Sequence, residues 1–200
     1  MPRSEEAYKQ IRDERREQIL DTAAVVFARK GLAGTKISDI AKEAEISQGL
    51  LYRYFTSKEE LFAAVIERAT LGTIRVAQEA LTHSGTAWEK LQWLTEQLLQ
   101  SMSQHVMYYQ LFSQAFAIPG RMQEISEDME PLLQAIRQLI AQGQVAGQIV
   151  ERDPDQLALL YLCYLEGVTA GMTIYGNRLV PHFPDAKIFL RWLERCGEGI

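Results

Sequence analysis

Residues 35–61 read TKISDIAKEAEISQGLLYRYFTSKEEL, and this stretch carries the strongest structural pattern in the chain. Its apolar residues Ile37, Ile40, Ala41 and Ala44 recur at the i, i+3, i+4, i+7 spacing of a helix. A turn at 45–46 follows, and Ser47 is a favourable N-cap for another short helix that runs to about residue 55. Two short helices joined by such a turn predict a helix-turn-helix.

The second helix of this pair has an apolar and a polar face. Leu51 and Phe55, four residues apart, form the apolar face together with Ile46, and we expect all three side chains to be buried. The residues expected on the opposite face are Gln48, Gly49, Tyr52 and Arg53. A short helix with this division can present its polar side to a partner while its apolar side packs on the other helices.

The polar face suits duplex DNA. Gln48 can make a bidentate contact to a base edge, and Gly49 lets the backbone approach closely. Tyr52 and Tyr54 can bond phosphates, while Arg53 can reach a phosphate or a guanine. The alternative is a plain solvated surface, but an exposed aromatic side chain on a polar helix face favours a binding role.

The stretch is flanked by two longer predicted helices. Before it, apolar residues at 19, 23, 26 and 27 have helical spacing, and Lys30-Gly31 supplies a last-turn cation and a C′ glycine. After it, residues 57–60 form a capping box with Glu60 at N3 and begin a fourth helix that extends to about residue 81. Lys58 would lie at the N-terminus of that helix, where anions bind readily.

The ordered pattern over residues 35–41, 44–55 and 57–61 resembles the signature of the TetR/AcrR family of transcriptional regulators. The close resemblance covers roughly residues 12–65, and beyond it only the helix count and Gly167 agree. It implies that the helix at 47–54 enters the major groove, with Gln48, Gly49 and Tyr52 facing bases. The other DNA-binding residues it implies are Lys36, Ser47, Leu50 through its backbone, Arg53, Tyr54 and Lys58.

Two positions depart from the family pattern. Glu45 stands where the family usually has glycine, so it must adopt an unusual backbone angle in the turn. Lys36 replaces a residue that is usually Ser or Thr, which would strengthen a phosphate contact.

The region before the pattern is open to two interpretations. Arg12, Arg15 and Arg16 could form an arm that reaches a groove of the DNA. Asp13, Glu14 and Glu17 alternate with them, which favours a solvated, self-paired start of the first helix.

The remainder of the chain also has helical periodicity, with segments near 87–103, 105–117, 122–143, 154–177 and 186–196. We therefore predict an all-α fold of about nine helices. A helix-turn-helix domain over 12–72 would be joined by the long fourth helix to a ligand-sensing and dimerisation domain over 73–200. The boundary falls within that fourth helix.

Residues 98–120 contain no Asp, Glu, Lys or Arg. A surface helix normally carries charges on its outer side, so this segment is either broadly buried core or the lining of an apolar cavity. The residues that we assign to a ligand site on this ground, with those of the next long apolar helix, are Met102, Met107, Tyr108, Phe112, Phe116, Tyr161, Tyr164 and Glu166.

The helix at 154–177 is apolar on two sides, which predicts that it lies between its own core and a second subunit. The resemblance agrees, since the family pairs its last two long helices across a two-fold axis. The expected interface residues are Leu159, Cys163, Gly167, Gly171, Ile174, Phe189 and Trp192. Glu166 is the single charge between Asp155 and Arg178, and we expect it to be a buried carboxylate, which needs either a cationic ligand group or an internal donor such as a tyrosine or Arg178.

Composition limits the other possibilities. The net charge of -5 arises entirely after residue 60, because residues 1–60 carry eleven basic and eleven acidic side chains. Cys163 and Cys196 form no metal or disulfide pattern, and the longest apolar run, 157–165, is too short for a membrane helix. A cytoplasmic protein without cofactor or metal is expected.

These features predict a ligand-responsive homodimeric repressor that binds a near-palindromic DNA operator and a small, mostly apolar effector. An enzyme is disfavoured, because the three histidines (His83, His105 and His182) lie in no catalytic or metal-binding motif and no phosphate-binding loop is present. An interaction module that has lost DNA binding is disfavoured because Gln48, Tyr52 and Lys58 are present.

Overall fold

A computed structural model describes residues 5–116, 118 and 121–195, without the side chains of residues 106, 109, 110, 113, 116, 121, 122, 173, 177 and 180. The described residues form helices and one isolated β-bridge, which confirms the predicted all-α class. The α-helices are α1 (Glu5–Gly34), α2 (Ile37–Glu43), α3 (Gln48–Tyr52), α4 (Lys58–Thr82), α5 (Ala87–Gln104), α6 (Val106–Phe116), α7 (Arg121–Asp128), α8 (Glu130–Val145), α9 (Pro154–Tyr175) and α10 (Ala186–Leu190).

Two predicted helices differ from those observed. The segment 122–143 is not one helix but two, α7 and α8, because Pro131 in the first turn of α8 has no amide hydrogen to continue the helical ladder. The last helix ends at Leu190 rather than near 196. The residues after it pair with the loop that follows α8, where the Val150 N–H donates to Leu193 O at 3.0 Å.

The chain divides into two compact units, and the division falls after Ala69, inside α4. In the first unit, α1 to α4 surround an apolar core. Phe27 of α1 meets Phe62 of α4 edge to face, with ring centroids 5.1 Å apart. The other fully buried members of this core include Ile19, Leu20, Ala23, Ile40, Leu51, Phe55 and Leu61. Burial of these side chains supplies the main stabilisation of the unit.

The end of α1 is fixed by a cation from α4. Gly31 has a positive φ of 71°, which interrupts the helical path at the predicted glycine. The Lys58 Nζ donates to the carbonyl oxygens of Leu32 at 3.0 Å and Thr35 at 3.2 Å, and more weakly to that of Ala33 at 3.4 Å. The ammonium thus donates to carbonyl groups at and just after the end of α1, and it links the two ends of the segment that contains α2 and α3.

The start of α4 has the predicted capping box. The Glu60 N–H donates to Ser57 Oγ at 3.0 Å. The Glu60 carboxylate in turn accepts from the backbone N–H of Thr56 at 2.6 Å and also from the Thr56 hydroxyl. These hydrogen bonds to its charged form lower the pKa of Glu60, with the Thr56 hydroxyl as the largest cause.

The second unit has its own core, formed where α5, α8 and α9 pack together with α10 and the end of α4, while α6 lies against α9. In its centre the buried hydroxyls of Thr95 on α5 and Tyr161 on α9 lie 2.7 Å apart in a hydrogen bond. Burial raises the pKa of Tyr161, so this pair stays neutral. Tyr161 and Tyr164 also pack edge to face on Phe189, which attaches α10 to α9.

We predict that Lys58→Met, which keeps the length of the side chain but removes its charge, lowers the free energy of opening of the first unit by about 1–3 kcal/mol. The reason is that three carbonyl groups at and just after the end of α1 lose a hydrogen bond from the ammonium. Hydrogen exchange of the buried amides of residues 19–27 measures this free energy for the first unit alone.

Lys42→Met serves as the control, because the Lys42 side chain is exposed on α2 and makes no hydrogen bond or ion pair within the described part of the chain. The control should change the opening free energy by no more than about 0.5 kcal/mol. Equal exchange rates in Lys58→Met and the unmodified chain would show that the ammonium contributes nothing to the fold.

Candidate nucleic-acid interface

The turn between α2 and α3 sets the direction in which α3 points. Glu45 has a φ of 54°, the positive value predicted for this position, and it is the one non-glycine residue with positive φ among those described. The Ile46 N–H then donates to Ala41 O at 3.0 Å and closes the turn onto α2. A residue other than glycine tolerates this conformation only when its surroundings hold it there, so the turn is strongly constrained.

The first turn of α3 is capped as predicted. The Leu50 N–H donates to Ser47 Oγ at 3.1 Å, which satisfies one of the free amides at the start of the helix. Leu51 is fully buried and Phe55 nearly so, while Ile46 is half-buried. With the apolar side fixed in the core, the opposite side of α3 must face outward.

That outward side carries the residues predicted to face bases. Gln48 and Gly49 are exposed, and 51% of the Tyr52 side chain is accessible. A Cβ added at Gly49 would meet no atom of the protein within 4 Å, so packing does not explain the glycine. A partner could therefore approach the backbone at Gly49 more closely than a side chain would allow.

The predicted phosphate contacts surround this surface, but they are not equivalent. Lys36 and Arg53 are exposed, Leu50 and Tyr54 are half-buried, and Ser47 is exposed although its hydroxyl caps α3.

The predicted role of Lys58 needs correction, because its ammonium is directed at carbonyl groups at the end of α1 rather than outward. Lys58 is the first residue of α4, and its ammonium stabilises the end of α1. The anion site was predicted only from the position of Lys58 at a helix N-terminus.

Sequence reasoning missed two contacts that hold the interface in place. The Arg16 guanidinium lies over the Phe55 ring, 5.3 Å from its centroid. This contact connects α1 to the recognition segment, which consists of α3 and the residues that follow it to Phe55. Asp39 accepts from the Lys36 N–H at 3.1 Å and pairs with Lys30 at 2.9 Å, and its pKa is lowered mainly by the Lys30 contact. The spacing of Lys36 and Asp39 was a usable signal for this N-terminal bond.

The predicted ligand residues fall into three environments. Met102 and Tyr161 are buried in the core of the second unit, and the Tyr161 hydroxyl is already hydrogen-bonded. Met107, Tyr108 and Phe112 are half-buried on α6, and the Phe116 side chain lies outside the described residues. Tyr164 is about half-exposed. The expectation of a buried carboxylate at Glu166 is wrong, because this side chain is exposed on α9.

The predicted interface residues divide between an exposed and an internal set. Leu159, Cys163, Gly167 and Ile174 lie on the exposed side of α9. Gly171 faces Leu179 of the same chain, since an added Cβ would lie 3.3 Å from its Cδ2. Phe189 was wrongly placed on an outer surface, because it packs on Tyr161 and is 7% exposed; Trp192 is half-buried against Tyr164.

Other kinds of site find little support in the described residues. No cluster of three or more His, Cys, Asp or Glu side chains in that part of the chain could hold a metal ion. None of the helices described is both long enough and apolar enough to cross a membrane.

Comparison with known proteins relates the helix-turn-helix region to a family. Residues 19–65 match the family model described as bacterial regulatory proteins, tetR family. The HTH-type transcriptional regulator YfiR of Bacillus subtilis is 31% identical over 94 residues, which are 47% of this chain and 45% of that protein. The chain therefore spans about half the length of this relative.

Similarity over a greater length accompanies lower identity. The fatty acid metabolism regulator protein of Bacillus subtilis is 28% identical over 137 residues, covering 67% of this chain and 70% of that protein. A solved transcriptional regulator from Saccharomonospora viridis, in complex with choline, has a TM-score of 0.76 at 23% identity, covering 92% of this chain and all of that one. The helix-turn-helix geometry and these matches together identify residues 19–65 as a helix-turn-helix region of the kind found in the tetR family of bacterial regulatory proteins.

Proposed function

We propose that the chain is a DNA-binding transcriptional regulator that acts as a homodimer and responds to a small, mostly apolar effector. The observation that carries this proposal is the outward side of α3, where Gln48, Gly49 and the half-exposed Tyr52 lie together on a helix whose other side is buried. A capped, rigidly supported helix with a polar face is the element that enters a major groove.

Within this proposal, Gln48 and Tyr52 contact base edges, while Lys36, Arg53 and Tyr54 hold phosphates. Two recognition helices related by a two-fold axis would lie about 34–36 Å apart, so the operator is a near-palindrome. The names of relatives support a regulator in general, and they include both repressors and an activator. Repression is the direction that we propose.

Gln48→Ala should relax base preference at one position of each operator half-site, with about a tenfold loss of discrimination there.

Tyr52→Ala should lower operator affinity by about tenfold or more, since the exposed ring and hydroxyl that would touch DNA are removed. Fluorescence anisotropy with single-base operator variants measures both effects. Gln18→Ala, a substitution at an exposed position of α1, is the matched control. An equal decrease on every sequence would contradict direct readout by Gln48.

A second copy of the chain is the occupant that we propose for the outer face of α9. Leu159 is 58% exposed and Ile174 is 72% exposed, with Cys163 and Gly167 between them on the same side. Ile188 of α10 is similarly exposed. An apolar surface of this kind favours protein association, and a two-fold operator requires two recognition helices.

Ile174→Glu should weaken the dimer by on the order of 100-fold, because each dimer would have to bury two unpaired carboxylates. Analytical ultracentrifugation over a range of protein concentrations measures the change. Val145→Glu is the control, since Val145 is an even more exposed apolar residue at the end of α8. A dimer that survives Ile174→Glu unchanged would exclude this face as the interface.

An apolar effector is supported by the charge-free segment 98–120. Met102 and Leu111 are buried there, and Met107 and Phe112 are half-buried. The side chains that this part of α5 and α6 buries are therefore apolar. The similarity to a fatty acid metabolism regulator supports a ligand with an acyl chain. Binding would favour a population of the dimer that does not fit the operator.

Decanoic acid and decyltrimethylammonium share an apolar chain and carry opposite head-group charges. We predict that at least one of them raises the thermal midpoint of the protein and weakens operator binding about 5- to 150-fold. Acetate and tetramethylammonium, which carry the same charges without the long chain, serve as controls. If neither compound, nor longer members of each series, alters operator affinity, the proposal of an apolar-chain effector is wrong.

A further inference from the structure

The first helix extends well beyond the part of the chain that forms the helix-turn-helix unit. The family model begins at residue 19, whereas α1 begins at Glu5. Nearly every residue from Glu5 to Arg15 is exposed, and the first fully buried side chain is that of Ile19. Three turns of helix therefore project from the unit without packing on it, and their side chains are available to a partner.

Charges on this projecting segment are segregated by side. At 100° per residue, Lys9, Arg12, Arg15 and Arg16 fall within an arc of about 120°. The acidic residues Glu6, Asp13, Glu14 and Glu17 fall within the opposite arc of about 100°. Glu5, in the first turn, is the acidic residue that shares the basic side. Basic and acidic side chains alternate along the sequence, which favoured a self-paired segment, but on the helix they lie on opposite sides.

Three of the four cations on this basic side make no polar contact through their side chains in the part of the chain that the structure describes, and the fourth, Arg16, lies on Phe55 and near Glu17. The side chains of these three, Lys9, Arg12 and Arg15, form no hydrogen bond or ion pair among the described residues. The acidic side does contribute to the fold, since Glu17 pairs with Arg68 of α4 at 2.9 Å. The interpretation of a self-paired helix start is therefore not supported for these three cations.

The basic side also carries an aromatic residue and has a defined position relative to α3. Tyr8 is 61% exposed and lies in line with Arg12, Arg15 and the buried Ile19 at spacings of four, three and four residues. The basic side thus continues the line of the core-facing side of α1. Its inner end is fixed next to the recognition segment, because Arg16 lies on the Phe55 ring.

From these observations we infer that the projecting basic side of α1 binds the phosphate backbone of DNA that flanks each operator half-site. From Arg16 to Lys9 the helix advances about 10 Å, half the diameter of a duplex. With α3 in the major groove, a row of cations that starts beside Phe55 and extends this far can reach phosphates outside the bases that α3 contacts. The inference rests on the proposed DNA-binding function and adds a second, sequence-independent contact surface.

The test compares a triple variant, Lys9→Gln, Arg12→Gln and Arg15→Gln, with the unmodified protein on two duplexes. One duplex ends at the operator that the unmodified protein selects, and the other has ten base pairs of arbitrary sequence added at each end. Glutamine keeps the helix propensity of the segment, which circular dichroism checks. The double variant Glu6→Gln and Asp13→Asn, on the opposite side of the same turns, is the control.

We expect the triple variant to bind the flanked duplex at least tenfold more weakly than the unmodified protein at about 0.15 M salt. The slope of log affinity against log salt should fall by about 0.9 for each phosphate that the variant no longer neutralises. On the trimmed duplex the two proteins should bind alike, and the control variant should not lose affinity for either duplex.

Two outcomes would overturn the inference in distinguishable ways. If the unmodified protein prefers its operator but the triple variant has the same affinity and salt slope on the flanked duplex, the basic side does not bind DNA and the proposed function stands. If the unmodified protein binds no duplex in preference to another, the proposed function fails, and the flanking contact fails with it.

Discussion

A helix of five residues does not form on its own in water, so the orientation of α3 depends on the contacts of its inner side. Leu51 and Phe55 supply these contacts by burial, Ser47 caps the first turn, and the Ile46 amide closes the preceding turn onto α2. The strained backbone of Glu45 is held between these fixed points. A recognition surface on such a short element is therefore as rigid as the core beneath it.

The same core explains why α1 and α4 matter to a surface that they do not form. Phe27 and Phe62 pack edge to face, Arg68 of α4 pairs with Glu17 and Asp21 of α1, and the Lys58 ammonium binds the carbonyl groups that end α1. These contacts fix the two ends of the segment that contains α2 and α3. Because α4 continues past Ala69, this one helix supplies residues to both compact units.

Local patterns were predicted well from the sequence, and features that depend on distant contacts were not. The apolar spacing of α2, the Ser47 cap, the Glu60 capping box and the positive φ at Glu45 all arise within a few residues. The role of Lys58, the burial of Phe189 and the exposure of Glu166 depend on segments far away in the chain. Likewise, alternating charges before residue 19 concealed a segregation that becomes visible only on a continuous helix.

The central claim, that the outward side of α3 binds specific DNA sequences, is tested most directly by selecting duplexes from a randomised library with the purified protein at about 0.15 M salt. The account predicts enrichment of a near-palindrome whose half-sites are separated by about one helical turn, 10–10.5 base pairs between centres. Recovery of sequences indistinguishable from the starting library would contradict it.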